Sequence, residues 1–187
     1  MSTINLVIAD DHRGFRTTVS DFLRRDGSIN VLAEAENGNE ALEYVRKFSP
    51  DILLLDMRMP QLDGVGVSDV IRSENMAVKV LAFSVYDDDD YVRGIYDNGG
   101  AGYLLKNETP QTLVSVLARI FRGETNFFSH TVAEKLRGWG HSFDNRLAHA
   151  QSQNKYSRSS SLDDPPQLTT TKLNPRRRRA SASGSRS

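Results

Sequence analysis

The chain has 187 residues, no cysteine, and 24 acidic against 24 basic side chains. Disulfides and thiolate metal centres are therefore excluded, no apolar run approaches the ~20 residues of a membrane span, and the N-terminus lacks the basic-then-apolar layout of a signal peptide. A cytoplasmic protein is expected. The balanced charge hides a segregation, with a net of −6 over residues 1–137 and +6 over residues 138–187, an acidic body carrying a basic tail.

Ile4 to Ala9 is an apolar run that ends in two carboxylates, Asp10 and Asp11. Phe15, Val19, Phe22 and Leu23 then recur at helical spacing, and Gly27 closes that helix. Val31 to Ala35 reads as a short strand. Gly38 to Phe48 reads as a helix with Ala41, Leu42 and Val45 inward, stopped by Ser49-Pro50. Ile52 to Leu55 is uninterruptedly apolar, as in a strand buried on both faces of a parallel sheet. Asp56 ends it, and Pro60 and Asp63-Gly64 supply turn chemistry. Val67, Val70 and Ile71 suggest a short helix. Val78 to Ser84 is a fourth strand, and Asp87 to Asn98 a helix whose four leading aspartates oppose its positive end. Gly99-Gly100 ends it. Ala101 to Lys106 is a fifth strand, and Thr109-Pro110 opens a helix with Leu113, Leu117, Ile120 and Phe121 inward.

Strands alternating with helices at short spacing predict an α/β fold, a doubly wound five-stranded parallel sheet spanning residues 1–122. Residues 123–137 are expected to form an amphipathic linker helix, with Phe128, Val132 and Leu136 spaced by four. From Gly138 to residue 187 the composition is that of a low-complexity basic tail, rich in Ser, Asn, Gln, Arg and Pro.

Ligands of open α/β sheets bind at the carboxyl ends of the strands. Here those ends supply Asp10, Asp11, Asp56, Ser84 and Lys106 along one edge. Three carboxylates together repel unless a cation sits among them, and an all-oxygen set suits Mg²⁺. Lys106 and Ser84 suit phosphoryl oxygens, leaving Asp56 as the nucleophile of an acyl phosphate.

The acidic pair, LLLDMRMPQLDG around Asp56, FS ending at Ser84 and GYLLK ending at Lys106 resemble a bacterial response-regulator receiver domain over residues 4 to about 122. The resemblance implies that Asp56 accepts phosphate from a sensor histidine kinase. It also implies that Asp11, Asp56 and the main-chain carbonyl of Arg58 bind Mg²⁺, with Asp10 acting through water. Ser84 would move toward the phosphoryl group and Tyr103 would turn inward. The surface of the fourth strand, fourth helix and fifth strand would then change shape, a face through which a homodimer could form. Such a domain promotes its own phosphorylation and dephosphorylation without being a turnover enzyme.

GYLLKNETPQTLVSVL and RGETNFFSHTVAEKL are most similar to NarL-type regulators, which continue into a LuxR-type helix-turn-helix opening with Leu-Thr-x-Arg-Glu. Leu168 and Thr169 match that opening, but Thr171 and Lys172 stand where Arg and Glu belong. Only 15 residues follow Lys172, whereas three helices need more than ~30. A DNA-binding domain is therefore not expected, and a disrupted reading frame would explain the abrupt change. DNA binding through Arg176–Arg179 would at best be sequence-blind. A transcription regulator is the alternative function. A haloacid-dehalogenase-type hydrolase would need a second aspartate where Arg58 stands.

His12 reads as a solvated loop residue, and His130, His141 and His149 show no ligand spacing. Gly64-Val65-Gly66 lacks the third glycine of a dinucleotide loop.

Overall fold

The computed structural model describes residues 3–141. Six parallel strands form one sheet in the order β2-β1-β3-β4-β5-β6. They are β1 (Ile4–Ala9), β2 (Ile29–Ala35), β3 (Ile52–Leu55), β4 (Lys79–Ser84), β5 (Gly102–Leu105) and β6 (Phe127–Phe128). The helices between and after them are α1 (Arg13–Arg25), α2 (Gly38–Phe48), α3 (Gly64–Ser73), α4 (Asp89–Asp97), α5 (Pro110–Phe121) and α6 (His130–Gly138). The strand order reverses between β1 and β3, where doubly wound sheets open a crevice.

Alternate strand residues feed two cores. Val7, Ala9, Leu53, Leu55, Ala82 and Tyr103 face α2, α3, α4 and α6. Ile8, Ile52, Leu54, Leu81, Phe83 and Leu104 face α1 and α5. Burial on both faces explains the unbroken apolar run of β3, each of whose side chains contributes about 1.5–3 kcal/mol when buried. Local chemistry starts the helices: Asn37, Asp63 and Thr109 side chains accept from the main-chain N–H of Glu40, Gly66 and Thr112. His12, expected in a solvated loop, is exposed but caps α1 by accepting from the Phe15 N–H through Nδ1 at 3.1 Å.

Three expectations change. The sheet has six strands rather than five, and residues 123–137 are not one helix, because Phe127 and Phe128 extend beside β5 (Gly102↔Phe127, Tyr103↔Phe128). Spacing by four between Phe128 and Val132 imitates a helix, yet both reach the same core from a strand and a helix in turn. The body therefore continues past Arg122 into α6, whose Val132, Ala133 and Leu136 are buried. Third, α4 starts at Asp89, so only Asp89 and Asp90 lie in its first turn. Asp87 precedes the helix, 3.6 Å from the Lys135 ammonium of α6. The expectations for residues 142–187, including the missing helix-turn-helix, the arginine run and His149, lie outside the described residues.

Gly102 is what admits β6. A Cβ there would stand 2.2 Å from the Phe127 carbonyl oxygen and 2.9 Å from the Phe127 Cβ, and backbone cannot yield cheaply. Gly102→Ala is expected to unpair β6 and cost about 2 kcal/mol. Hydrogen exchange checks this: the Phe127 and Ser129 amides, which donate to Ala101 and Tyr103, should lose protection before those of β1 and β3. Unchanged protection would refute it.

Candidate functional site

The strand ends converge as expected. The N–H of Asp10 donates to the Ala35 carbonyl and that of Asp56 to the Ala9 carbonyl, at 3.0 and 2.9 Å, so ladder-like bonds place both residues just beyond their strands. Both are buried. Burying carboxylates is costly unless they are paired and hydrogen-bonded. Lys106 supplies the pairing, with Nζ 2.7 Å from Asp10 Oδ2 and 2.6 Å from Asp56 Oδ2. Asp56 Oδ1 accepts from the Met57 N–H and the Ser84 hydroxyl, each at 2.6 Å. Asp10 Oδ1 accepts from the His12 N–H at 2.9 Å.

Lys106 is itself positioned. Its N–H donates to the Ser84 carbonyl at 2.9 Å, and its ammonium stands 4.4 Å from the centroid of the Phe15 ring. The two carboxylates leave it almost no exposed side chain. Burial pushes the Asp10 carboxyl above its ordinary value, the hydrogen bond and charge of Lys106 pull it back down, and the Asp56 charge adds to the rise.

Asp11 is exposed at the mouth. One carboxylate oxygen from each of Asp10, Asp11 and Asp56 lies within 4.8 Å of the others. Opposite oxygens around an octahedral ion at 2.0–2.1 Å lie ~4.2 Å apart, so the cluster needs only a small closure to hold a small, hard divalent cation. Three carboxylates against one ammonium leave a formal excess of negative charge, which favours that occupant. The cleft above them encloses about 690 Å³ and is lined by Asp11, Phe15, Asp56, Arg58, Tyr86 and Lys106, among others.

Arg58, expected to offer its carbonyl, borders this cleft, and its guanidinium lies 4.5 Å from the centroid of the Tyr86 ring. Tyr103 is wholly buried, and its hydroxyl donates to the Tyr86 carbonyl at 2.7 Å. Burial holds that phenol far above its usual range. In this structure the Ser84 hydroxyl bonds Asp56 and the Tyr103 ring faces inward. The physical reason is packing: the ring belongs to the core that also holds Phe128 and Val132.

Sequence reasoning missed several groups that support the site. Phe15, one of the apolar residues at helical spacing in α1, also lies against Lys106. Ser129, buried after β6, accepts from the Leu105 N–H at 2.8 Å and donates to Glu108 at 2.7 Å, steadying the chain on either side of Lys106. Arg16, a cation next to an apolar helix face, was the one signal available for a buried charge in α1.

Comparison with known proteins identifies the family and the fold. The family model described as response regulator receiver domain matches residues 6–118. The transcriptional regulatory protein DegU of Brevibacillus brevis is 36% identical over 120 residues, which cover 64% of this chain and 51% of that protein. A NarL regulatory protein of Mycobacterium tuberculosis is 38% identical over 120 residues, 64% of this chain and 56% of its own length. The solved signal receiver domain of NarL from M. tuberculosis superposes with a TM-score of 0.64 at 36% identity, covering 66% of this chain and 100% of that domain. The chain thus spans about half the length of the curated relatives it matches.

Proposed function

The chain belongs to the response-regulator receiver family, and from that premise we propose that it is a phosphorylation-dependent switch with Asp56 as the acceptor. The observation that carries this reading is the set of contacts on the Asp56 carboxylate. Oδ1 is held by a main-chain N–H and a hydroxyl, and Oδ2 faces the Lys106 ammonium at the floor of an open cleft.

In the proposed transfer, a carboxylate oxygen of Asp56 attacks the phosphorus of a phosphohistidine carried by a sensor histidine kinase. The new O–P bond forms as the P–N bond breaks, and the electron pair leaves with the imidazole nitrogen. Lys106 exchanges its contact with Asp56 for a phosphoryl oxygen, and the Ser84 hydroxyl donates to another. Mg²⁺ held by Asp10, Asp11, Asp56 and the Arg58 carbonyl would supply charge stabilisation to the transferring group. The phosphorylated pocket would reposition the surface of β4, α4 and β5, a face suited to a second copy of the chain. The chain accepts and loses phosphate in a cytoplasmic setting without turning over a substrate as an enzyme does. Among the described residues no helix is long and apolar enough to cross a membrane. The relatives named as transcriptional regulators favour an output in transcription as the second reading.

Incubation with phosphoramidate and Mg²⁺, followed by intact mass measurement, tests the reading. A single phosphoryl adduct is expected that needs Mg²⁺ and is absent from Asp56→Asn. An adduct that survives this substitution, or none on the unaltered chain, would overturn it.

A further inference from the structure

Arg16 has no place in the transfer described above, yet it is a buried cation. Its side chain is 10% exposed, and its Nε is the one buried side-chain polar atom among the described residues without a hydrogen-bond partner. Glu34 of β2 stands nearby, but its Oε2 is 4.0 Å from Nε, and its Oε1 is taken by the Ser20 hydroxyl at 2.7 Å and by Arg24 at 3.0 Å. An incompletely bonded buried guanidinium is a poor device for stability alone. What Arg16 does hold is the main-chain carbonyl of Asp10, to which Nη1 donates.

That carbonyl belongs to the peptide joining Asp10 to Asp11. β1 ends at Ala9 and α1 begins at Arg13, so only three residues turn the chain. The Asp10 N–H is fixed to Ala35 and the Asp10 side chain to Lys106 and the His12 N–H. The following peptide plane is the remaining freedom, and it sets the direction in which the exposed Asp11 carboxylate leaves the chain. We propose that Arg16 is a positioning residue for the acidic pocket, pinning the Asp10–Asp11 peptide so that Asp11 stands within reach of the same cation as Asp10 and Asp56. The inference rests on the acceptor-site reading above and deepens it. Arg16 does not line the cleft, so it acts on the cation site only through the peptide.

Mg²⁺ binding without any phosphodonor separates this role from a merely structural one. Titration calorimetry on the folded chain, checked by circular dichroism, would compare the unaltered protein with Arg16→Met, Arg16→Lys and Glu34→Gln. Partners that orient metal ligands are worth about ten- to a hundredfold in affinity. Arg16→Met is expected to weaken Mg²⁺ binding by at least about tenfold. Arg16→Lys, which keeps a donor for the carbonyl, should recover all but about threefold of it. Glu34→Gln should lower the melting temperature while leaving Mg²⁺ affinity within about twofold.

Unchanged Mg²⁺ affinity in Arg16→Met would overturn the proposal, as would an equal loss in Glu34→Gln, which would assign the effect to network charge. Should Arg16→Met fail to fold, a loss beyond about tenfold in a folded Arg16→Lys would overturn it, and near-normal affinity there would uphold it. Absence of Mg²⁺ binding by the unaltered chain would instead strike the acceptor-site reading, and this proposal with it.

Discussion

Lys106→Met is expected to lower the unfolding free energy by about 3–5 kcal/mol at neutral pH. The substitution keeps a flexible apolar stem and removes the ammonium that bridges Asp10 and Asp56 at 2.7 and 2.6 Å. Two buried carboxylates are then left facing each other. The Asp10 carboxyl already lies above its ordinary value through burial, and the two Lys106 contributions are the largest that restrain it. Without them the folded-state value rises further, while the unfolded value stays near 3.8.

The folded state then binds more protons than the unfolded state between those two values, so stability falls as pH climbs through the window. As the pH is lowered toward the unfolded value the carboxyl takes up its proton in the folded variant, and the loss should shrink. Urea unfolding at pH 4 and pH 7 measures this, and an equal loss at both would refute the electrostatic account. Added Mg²⁺ should restore part of the stability at pH 7, because a bound cation replaces the missing charge.

Gly64→Ala is expected to cost about 2–4 kcal/mol and to slow formation of the phosphoryl adduct at least about tenfold. The loop from Asp56 to Gly64 folds back on itself, and the Gly64 N–H donates to the Met57 carbonyl at 2.9 Å. A Cβ at Gly64 would stand 2.6 Å from the Asp56 carbonyl oxygen and 2.9 Å from the Met57 Cα. Its backbone is not in the left-handed region, so crowding alone carries the effect. Relief would have to move the Asp56–Met57 peptide, whose N–H holds Asp56 Oδ1.

Gly66→Ala is the natural control. Its nearest neighbours are the Cδ1 and Cγ of Leu62, at 2.5 and 3.2 Å, and a leucine tip can rotate away. That variant should lose less than about 1 kcal/mol and form adduct normally. Comparable damage from both substitutions would show that general disruption of α3, not displacement of the Asp56 peptide, is responsible.

Much of this site was legible because charge at a strand end is conspicuous. Four buried residues, Ile52 to Leu55, leave β3 no other reading, and a carboxylate directly after such a run demands a partner. Asp10, Asp11, Ser84 and Lys106 stand at or just beyond equivalent strand ends, so the sheet brings them to one edge. β6 was not legible, since two residues have no periodicity and Phe128, Val132 and Leu136 mimic a helical stripe. The start of α4 was overrun because aspartates suit both a first turn and the residues before it. Arg16 and Ser129 escaped notice for a different reason: each acts on a main-chain atom, and sequence patterns carry side-chain character, not carbonyl direction. The inward pose of Tyr103 likewise depends on β6 and α6, whose packing was not anticipated.

The pairing of Phe127 and Phe128 with β5 also governs how the molecule can be dissected. A fragment cut at Arg122, the boundary that strand-and-helix counting suggests, would leave β5 as an outer strand with unpaired N–H and C=O groups. It would also strip Tyr103 of the aromatic and aliphatic cover that Phe128, Val132 and Leu136 provide. Such an edge is a template for intermolecular pairing, so self-association by that fragment would report the cut and not the native assembly. The smallest piece fit for measuring oligomeric state runs through Gly138, where α6 ends.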